Sequence, residues 1–320
     1  MKFTIHQSSR HGSRPYNQDR LAYSYTKDAL LLVVADGMGG HRHGEVAAQL
    51  AVKSITDAFQ QMATPVLENP AKFLSAQIQQ IHEAIESMTL ADDLLESPRT
   101  TIVTAVLQRG ELHCAHVGDS RLYHFRDGRL LYRTEDHSVV QMLHRRGHIS
   151  KRAMLSHPDR HKLYNCLGGE KLPQIDLAKT QNLRDGDTLL LCTDGLWANL
   201  SDEKIGETLH GGYVNNTIPS LLNLAESLNG ENSDNISGMG VQWGDLPSDI
   251  ESERQKNKLA VSTVTMPLGA TTTIINPPTH QQTTRNDNDD ESARTAKDLT
   301  DEEIEKTIAE IQAAINKTQI

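Results

Sequence analysis

At 320 residues the chain is long enough for one large domain plus an extension. Its formal net charge of −10, with no basic stretch interleaved with aromatics, argues against nucleic acid as a partner. The longest apolar run falls far short of the ~20 residues that span a bilayer, and the opening Met1-Lys2-Phe3-Thr4-Ile5-His6 lacks a signal-peptide core, so a cytoplasmic protein with no membrane partner is expected.

In chain order, apolar patterning predicts strands over residues 3–8, 21–25 and 30–35, then two amphipathic helices over 44–62 and 71–89. Strands follow over 101–108, 112–117 and 121–125, a short helix over 139–146, strands over 174–179 and 188–192, helices over 202–209 and 219–228, and a last strand over 238–243. Turns such as Gln108-Arg109-Gly110-Glu111 and Arg126-Asp127-Gly128-Arg129 argue for antiparallel hairpins. On the first helix Ala47, Leu50, Ala51, Ser54, Ile55 and Ala58 form a stripe suited to lie on a sheet. These elements fit a sandwich of two sheets covered by helices. Cys114, Cys166 and Cys192 include no Cys-x-x-Cys pair and read as buried, reduced thiols.

The composition changes near residue 246. Residues 246–298 have few large apolar side chains, many threonines and a Pro277-Pro278 pair, which predicts a disordered linker. Over 299–318 the pattern tightens into an amphipathic helix: Thr300 and Glu303 form a capping box, Leu299 and Ile304 a staple, and Ile304, Ile308, Ile311 and Ile315 a stripe. Either this helix docks on the main domain, or it serves partner binding or self-association from a flexible tether. Thr263, Thr265 and Thr271 to Thr273 could be kinase targets.

Aspartates carry the chemical signal. Asp36 stands in Ala35-Asp36-Gly37-Met38-Gly39-Gly40, Asp119 in Val117-Gly118-Asp119-Ser120-Arg121, Asp194 in Leu191-Cys192-Thr193-Asp194-Gly195, and Asp234 before Asn235-Ile236. Asp36 and Asp194 follow apolar runs, so each carboxylate would emerge where a strand ends and a glycine lets the chain turn. One such Asp is more often a turn or cap residue. As a set, oxygen ligands suit Mg²⁺ or Mn²⁺, and carboxylates gathered in a low-dielectric cleft repel unless divalent cations hold them.

The order of segments resembles the metal-dependent Ser/Thr protein phosphatases of the PPM family in its bacterial form. The resemblance covers roughly residues 1–245. It runs from Gly12-Ser13-Arg14-Pro15-Tyr16-Asn17-Gln18-Asp19 through Asp36-Gly37-Met38-Gly39-Gly40, Arg99-Thr100-Thr101 and Gly118-Asp119-Ser120-Arg121. It continues through Glu135-Asp136-His137-Ser138, Asn165-Cys166-Leu167-Gly168-Gly169 and Thr193-Asp194-Gly195-Leu196-Trp197 to Asp234-Asn235-Ile236-Ser237. It implies an α+β fold, a four-layer αββα sandwich of two mostly antiparallel sheets flanked by helices, with a flexible C-terminal extension.

The resemblance further implies that Asp36 bridges two central Mn²⁺ or Mg²⁺ ions, with the Gly37 carbonyl on one. Asp194 and Asp234 would complete the second ion's ligands, Asp119 would hold a third ion, and Asp19 would orient the waters. Arg14 would bind the substrate phosphate through its guanidinium fork, whereas Arg121 would be structural. Hydrolysis would proceed by a metal-bridging hydroxide. Met38 stands where eukaryotic members carry a histidine general acid, so water on the metals would take that role. Ser97-Pro98-Arg99 replaces the usual Met-Gly ending, which puts the local backbone path in question.

Residues 144–162, inside an expected flap over about 141–165, carry Arg145, Arg146, Lys151, Arg152, Arg160 and Lys162 against one acid, Asp159. They form either a solvated surface or a flap that draws phosphorylated segments to the cleft. The expected function is hydrolysis of phosphoserine and phosphothreonine in proteins, reversing a cognate Ser/Thr kinase in a bacterial cytoplasm. The competing expectation is a phosphoprotein-binding scaffold with little turnover.

Overall fold

A run of buried apolar residues with no polar alternation needs cover on both faces, and Leu30 to Val34 are such a run at the centre of the molecule. The computed structural model describes residues 1–38, 44–91, 97–244 and 272–276. The chain begins β1 (Phe3–Arg10), β2 (Asp19–Tyr25), β3 (Ala29–Met38), α1 (Gly44–Met62) and α2 (Pro70–Ala91). Next come β4 (Arg99–Thr100), β5 (Ile102–Gln108), β6 (Glu111–Val117), β7 (Arg121–Arg126), β8 (Arg129–Arg133), α3 (Val139–Arg145) and α4 (Lys151–Met154). It continues through β9 (Asp176–Leu177), β10 (Gln181–Asn182), β11 (Thr188–Cys192), α5 (Asp194–Trp197), α6 (Asp202–Leu209) and α7 (Val214–Asn229), then β12 (Ile236–Trp243) and β13 (Thr272–Asn276).

Two antiparallel sheets result, in the orders β1-β12-β11-β7-β8 and β10-β6-β5-β3-β2-β13, with β4 beside β3 and β9 beside β6. Because side chains alternate across a strand, Leu30, Leu32 and Val34 of β3 meet Leu189, Leu191, Met239 and Val241 of the other sheet. Leu31, Val33 and Ala35 point the other way, under Leu50, Ile55 and Phe59 of α1 and Leu74 and Ile78 of α2. On the opposite side Tyr123, Phe125, Leu190 and Cys192 are covered by Ile205 of α6 and Ile218, Leu221 and Leu222 of α7. The layers are helix, sheet, sheet, helix.

The helices at 44–62 and 202–209 and the strand at 188–192 fall on the expected residues. The buried face of α1 is wider than the expected stripe and includes Val46, Ala48, Val52 and Phe59, since α1 lies against both the sheet and α2. The last helix starts at Val214 rather than at the proline. Pro219 sits inside it, and burial of Val214, Ile218, Leu221, Leu222 and Ala225 offsets the missing N–H. The strand expected over 174–179 shrinks to β9, and β8 was not foreseen because its residues are exposed or half-buried without alternation. Cys114, Cys166 and Cys192 are free thiols, but Cys166 is half-buried.

Within the expected linker, β13 runs along the outer edge of β2, from Thr272 opposite Tyr25 to Asn276 opposite Leu21. Disorder is therefore not the state of these five residues: β2 offers an unpaired ladder edge and the segment is β-branched at four positions. The rest of 246–298 and the helix expected over 299–318 lie outside the described residues. Among the described residues no helix is long and apolar enough to cross a membrane.

Candidate active site

Asp19 and Asp36 face each other across the β2–β3 ladder. Asp194 opens α5 directly after β11, Asp119 stands between β6 and β7, and Asp234 lies two residues before β12. Antiparallel pairing thus brings strand ends and strand starts from both sheets to one end of the sandwich. There a cleft of about 930 Å³ is lined by Arg14, Asp36, Gly37, Asp119, Asp194 and Asp234. Asp19 is buried behind it.

Hydrogen bonds from distant segments hold the backbone that carries these aspartates and, at Asp19, the carboxylate itself. The Asp36 N–H donates to Thr101 Oγ1 (3.1 Å), the Asp36 carbonyl accepts from the Thr101 N–H and from Thr100 Oγ1 (both 2.9 Å), and Thr101 Oγ1 pairs with Ser120 Oγ (2.7 Å). The threonine pair therefore fastens the Asp36 backbone to the Asp119 segment. Thr193 Oγ1 donates to Asp19 Oδ2 (2.8 Å). Asn235 Nδ2 donates to the carbonyls of His11 and Tyr16, and its Oδ1 accepts from the Gln18 N–H, clipping down the loop that carries Arg14. A Cβ on Gly37 would stand 2.2 Å from the Gly44 carbonyl oxygen, so β3 can meet the start of α1 only at a glycine. Thr101, Thr193 and Asn235 were not expected to act; Thr193 and Asn235 adjoin Asp194 and Asp234 in sequence, whereas Thr101 adjoins none of the aspartates and is brought to Asp36 only by the fold.

Ser97-Pro98-Arg99 does not divert the chain. β4 pairs with Gly37 and Met38, and Thr100 bridges Leu167, which brings the Leu167-Gly168-Gly169 segment onto the same strand end. Arg121 is structural, as expected: its fork holds Asp136 at 2.7 Å twice, its third nitrogen donates to Tyr123, and it lies 3.3 Å over the Trp197 ring. Arg14 lines the cleft with its Nη2 on Asp234 Oδ2 (2.8 Å). The 139–163 excursion returns to its start through the Ser138–Leu163 bridge and the Val139 N–H to Lys162 carbonyl bond, which places Arg160 and His161 in the cleft wall. Burial first, then Arg160, lowers the basicity of His161.

The charge pattern of the cleft is unbalanced. Removal from water, then Asp19 and Asp194, push the Asp36 carboxyl well above the usual range, and burial with Asp194 does the same to Asp119. Burial pushes Asp19 up to about 7 despite its Ser237 and Thr193 hydrogen bonds, and burial with Asp234 pushes Asp194 up to about 6. Among the described residues, Asp19 Oδ1 is buried and meets no hydrogen-bonding group. Oxygen-only donors, mutual repulsion and an unsatisfied buried carboxylate oxygen fit a site for hard divalent cations.

The family model described as "Protein phosphatase 2C" matches residues 7–232. A serine/threonine phosphatase stp of Listeria welshimeri is 37% identical over 57% of this chain and 73% of its own length. The crystal structure of the Mycobacterium tuberculosis serine/threonine phosphatase PstP/Ppp superposes with a TM-score of 0.68 at 32% identity, over 77% of this chain and 100% of that one. The catalytic domain of PstP in complex with 2 manganese ions superposes at 0.63 with 30% identity, over 76% of this chain and 100% of that domain.

Proposed function

The chain belongs to the protein phosphatase 2C family, metal-dependent serine/threonine protein phosphatases, and on that premise we propose how its own residues carry the hydrolysis. Asp36, the Gly37 carbonyl, Asp194 and Asp234 would hold two central Mn²⁺ or Mg²⁺ ions, and Asp119 a third. When bound, such ions supply a water acidified enough to attack phosphorus and positive charge against the phosphate oxygens. Asp19, fixed by Thr193 and presenting its unpaired Oδ1, would orient the waters around them. Arg14 would leave Asp234 once cations neutralise that carboxylate and turn its fork to the substrate phosphate. Arg160 and His161 would meet the phosphorylated segment as it enters.

The observation that carries this reading is the convergence of five aspartates from both sheets with one oxygen left unsatisfied. It also favours turnover over a scaffold, because a binding module has no use for uncompensated carboxylates. The reading extends to phosphoproteins as substrates, to a cognate kinase that makes them, and to a cytoplasmic setting. The test is Mn²⁺-dependent release of phosphate from a phosphothreonine peptide. Asp36→Ala should lower turnover at least about 100-fold, and near-wild-type Mn²⁺-dependent activity in that variant would sink the ligand assignment.

A further inference from the structure

Each side chain of Asp136-His137-Ser138 has its own work. Asp136 takes the Arg121 fork, and Ser138 Oγ caps α3 by accepting the Gln141 N–H. His137 is buried. Its backbone N–H donates to the Gly118 carbonyl (3.0 Å), and its Nδ1 accepts the Gly118 N–H (3.1 Å). The backbone and the ring of His137 together hold both polar groups of the residue before Asp119, the ring taking its N–H. Gly118 has φ +104°, a conformation that side chains rarely adopt, and a Cβ there would stand 2.6 Å from Thr101. On its other side the Asp119 carbonyl accepts from Trp197 Nε1 (3.1 Å).

The tautomer of His137 follows from its partners. Asn165 Nδ2 also donates to Nδ1 (2.7 Å), and the Asn165 amide is oriented by Gln174, whose N–H reaches Oδ1 (3.0 Å) and whose carbonyl accepts from Nδ2 (2.7 Å). With two donors on Nδ1, the neutral ring carries its proton on Nε2. Asp176 Oδ2 lies 3.2 Å from Nε2, off the straight hydrogen-bond line, and Asp176 Oδ1 is held by Gln174 Nε2 (3.0 Å). His116, stacked on His137 at 4.7 Å, completes a His116–His137–Asp176 group whose donor atoms lie within 4.8 Å of one another. That spacing would suit a transition metal, but a protonated Nε2 has no lone pair to give.

We infer that His137, oriented by Asp176 and Asn165, is a positioning residue that sets the Gly118–Asp119 turn and so aims the Asp119 carboxylate into the cleft. The inference rests on the reading of Asp119 as a cation ligand. The latch acts at one atom, the Nδ1 lone pair. Asparagine places a carbonyl oxygen near that atom, whereas glutamine places one near Nε2 and leaves the Gly118 N–H without a partner.

The experiment is titration of the metal-free full chain with Mn²⁺, followed by calorimetry and by the electron paramagnetic resonance of free Mn²⁺, alongside melting temperatures. His137→Asn should keep the weakest-bound Mn²⁺ near its wild-type affinity. His137→Gln should weaken that equivalent about 10- to 100-fold and leave the tighter ones unchanged. Asn and Gln behaving alike would overturn the latch, because a purely space-filling role does not distinguish them by the position of one oxygen. Should both variants unfold, Asp176→Ala at a half-exposed carboxylate repeats the test, and an unaltered weak equivalent there overturns it. Asp119→Ala separates the two levels. If it removes the weak equivalent while His137→Gln does not, the latch fails alone; if it removes none, the ligand reading fails and the latch with it.

Discussion

A single carboxylate with a buried, unpaired oxygen has measurable consequences for the metal-free protein. Burial pushes the Asp19 carboxyl up to about 7 in the folded chain, against ~3.9 for a free carboxylate. Between those values the folded state binds more protons than the unfolded state, so this group's contribution to stability falls as pH rises toward 7. Buried His116, whose basicity burial lowers, works in the opposite sense up to ~6.5, so a variant comparison is needed to isolate Asp19. Asp19→Asn in EDTA should raise the melting temperature over wild type, and by more at pH 7.5 than at pH 5; an equal shift at both pH values would remove Asp19 from the linkage. Arg14 gives the other residue-scale prediction. Hydrogen bonds to charged groups are worth ~1.5–3 kcal/mol, so Arg14→Ala should lower kcat/KM about 10- to 100-fold with Mn²⁺ affinity nearly unchanged. Arg14→Lys, lacking the fork, should recover part of that loss. A large loss of Mn²⁺ binding in either variant would show that Arg14 serves the metals instead.

Elements meet at the cleft through hydroxyl struts rather than through packing alone. Thr101 ties β3 to the β6–β7 turn by accepting the Asp36 N–H and pairing with Ser120. Thr101→Val keeps the volume and removes the hydroxyl, leaving an N–H and a serine hydroxyl without their partner. This should cost about 1–3 kcal/mol of stability, read as a lower urea midpoint with unchanged slope, and should reduce turnover because Asp36 and Asp119 lose their common fastening. An unchanged midpoint would mean the strut is dispensable.

For the whole molecule, the question is what the segment after β12 contributes. β13 covers the edge of β2 from Tyr25 to Leu21 and stops short of Asp19 at the cleft end. Removing residues 246–320 should leave turnover of a small phosphopeptide intact, and the bared β2 edge should promote self-association visible by light scattering. If peptide turnover and melting temperature collapse together, the extension is part of the folded core.

The sequence by itself determined the layers and the ligand candidates, because both are local. Unbroken apolar runs declare β3 and β11, a helical stripe declares α1, and an aspartate beside a glycine at a strand end declares itself without knowledge of its neighbours. It placed Asp36, Asp119, Asp194 and Asp234 but could not say what holds them. Thr193 reaches Asp19 across 174 residues and Arg14 reaches Asp234 across 220. Such pairs exist only once antiparallel registers have set one strand end against another. The same holds for His137, which lies in a recognisable motif but acts through the Gly118 peptide 19 residues earlier. It holds too for β13, where an edge left open by the rest of the sheet, rather than any local apolar pattern, decides that a threonine-rich segment becomes a strand.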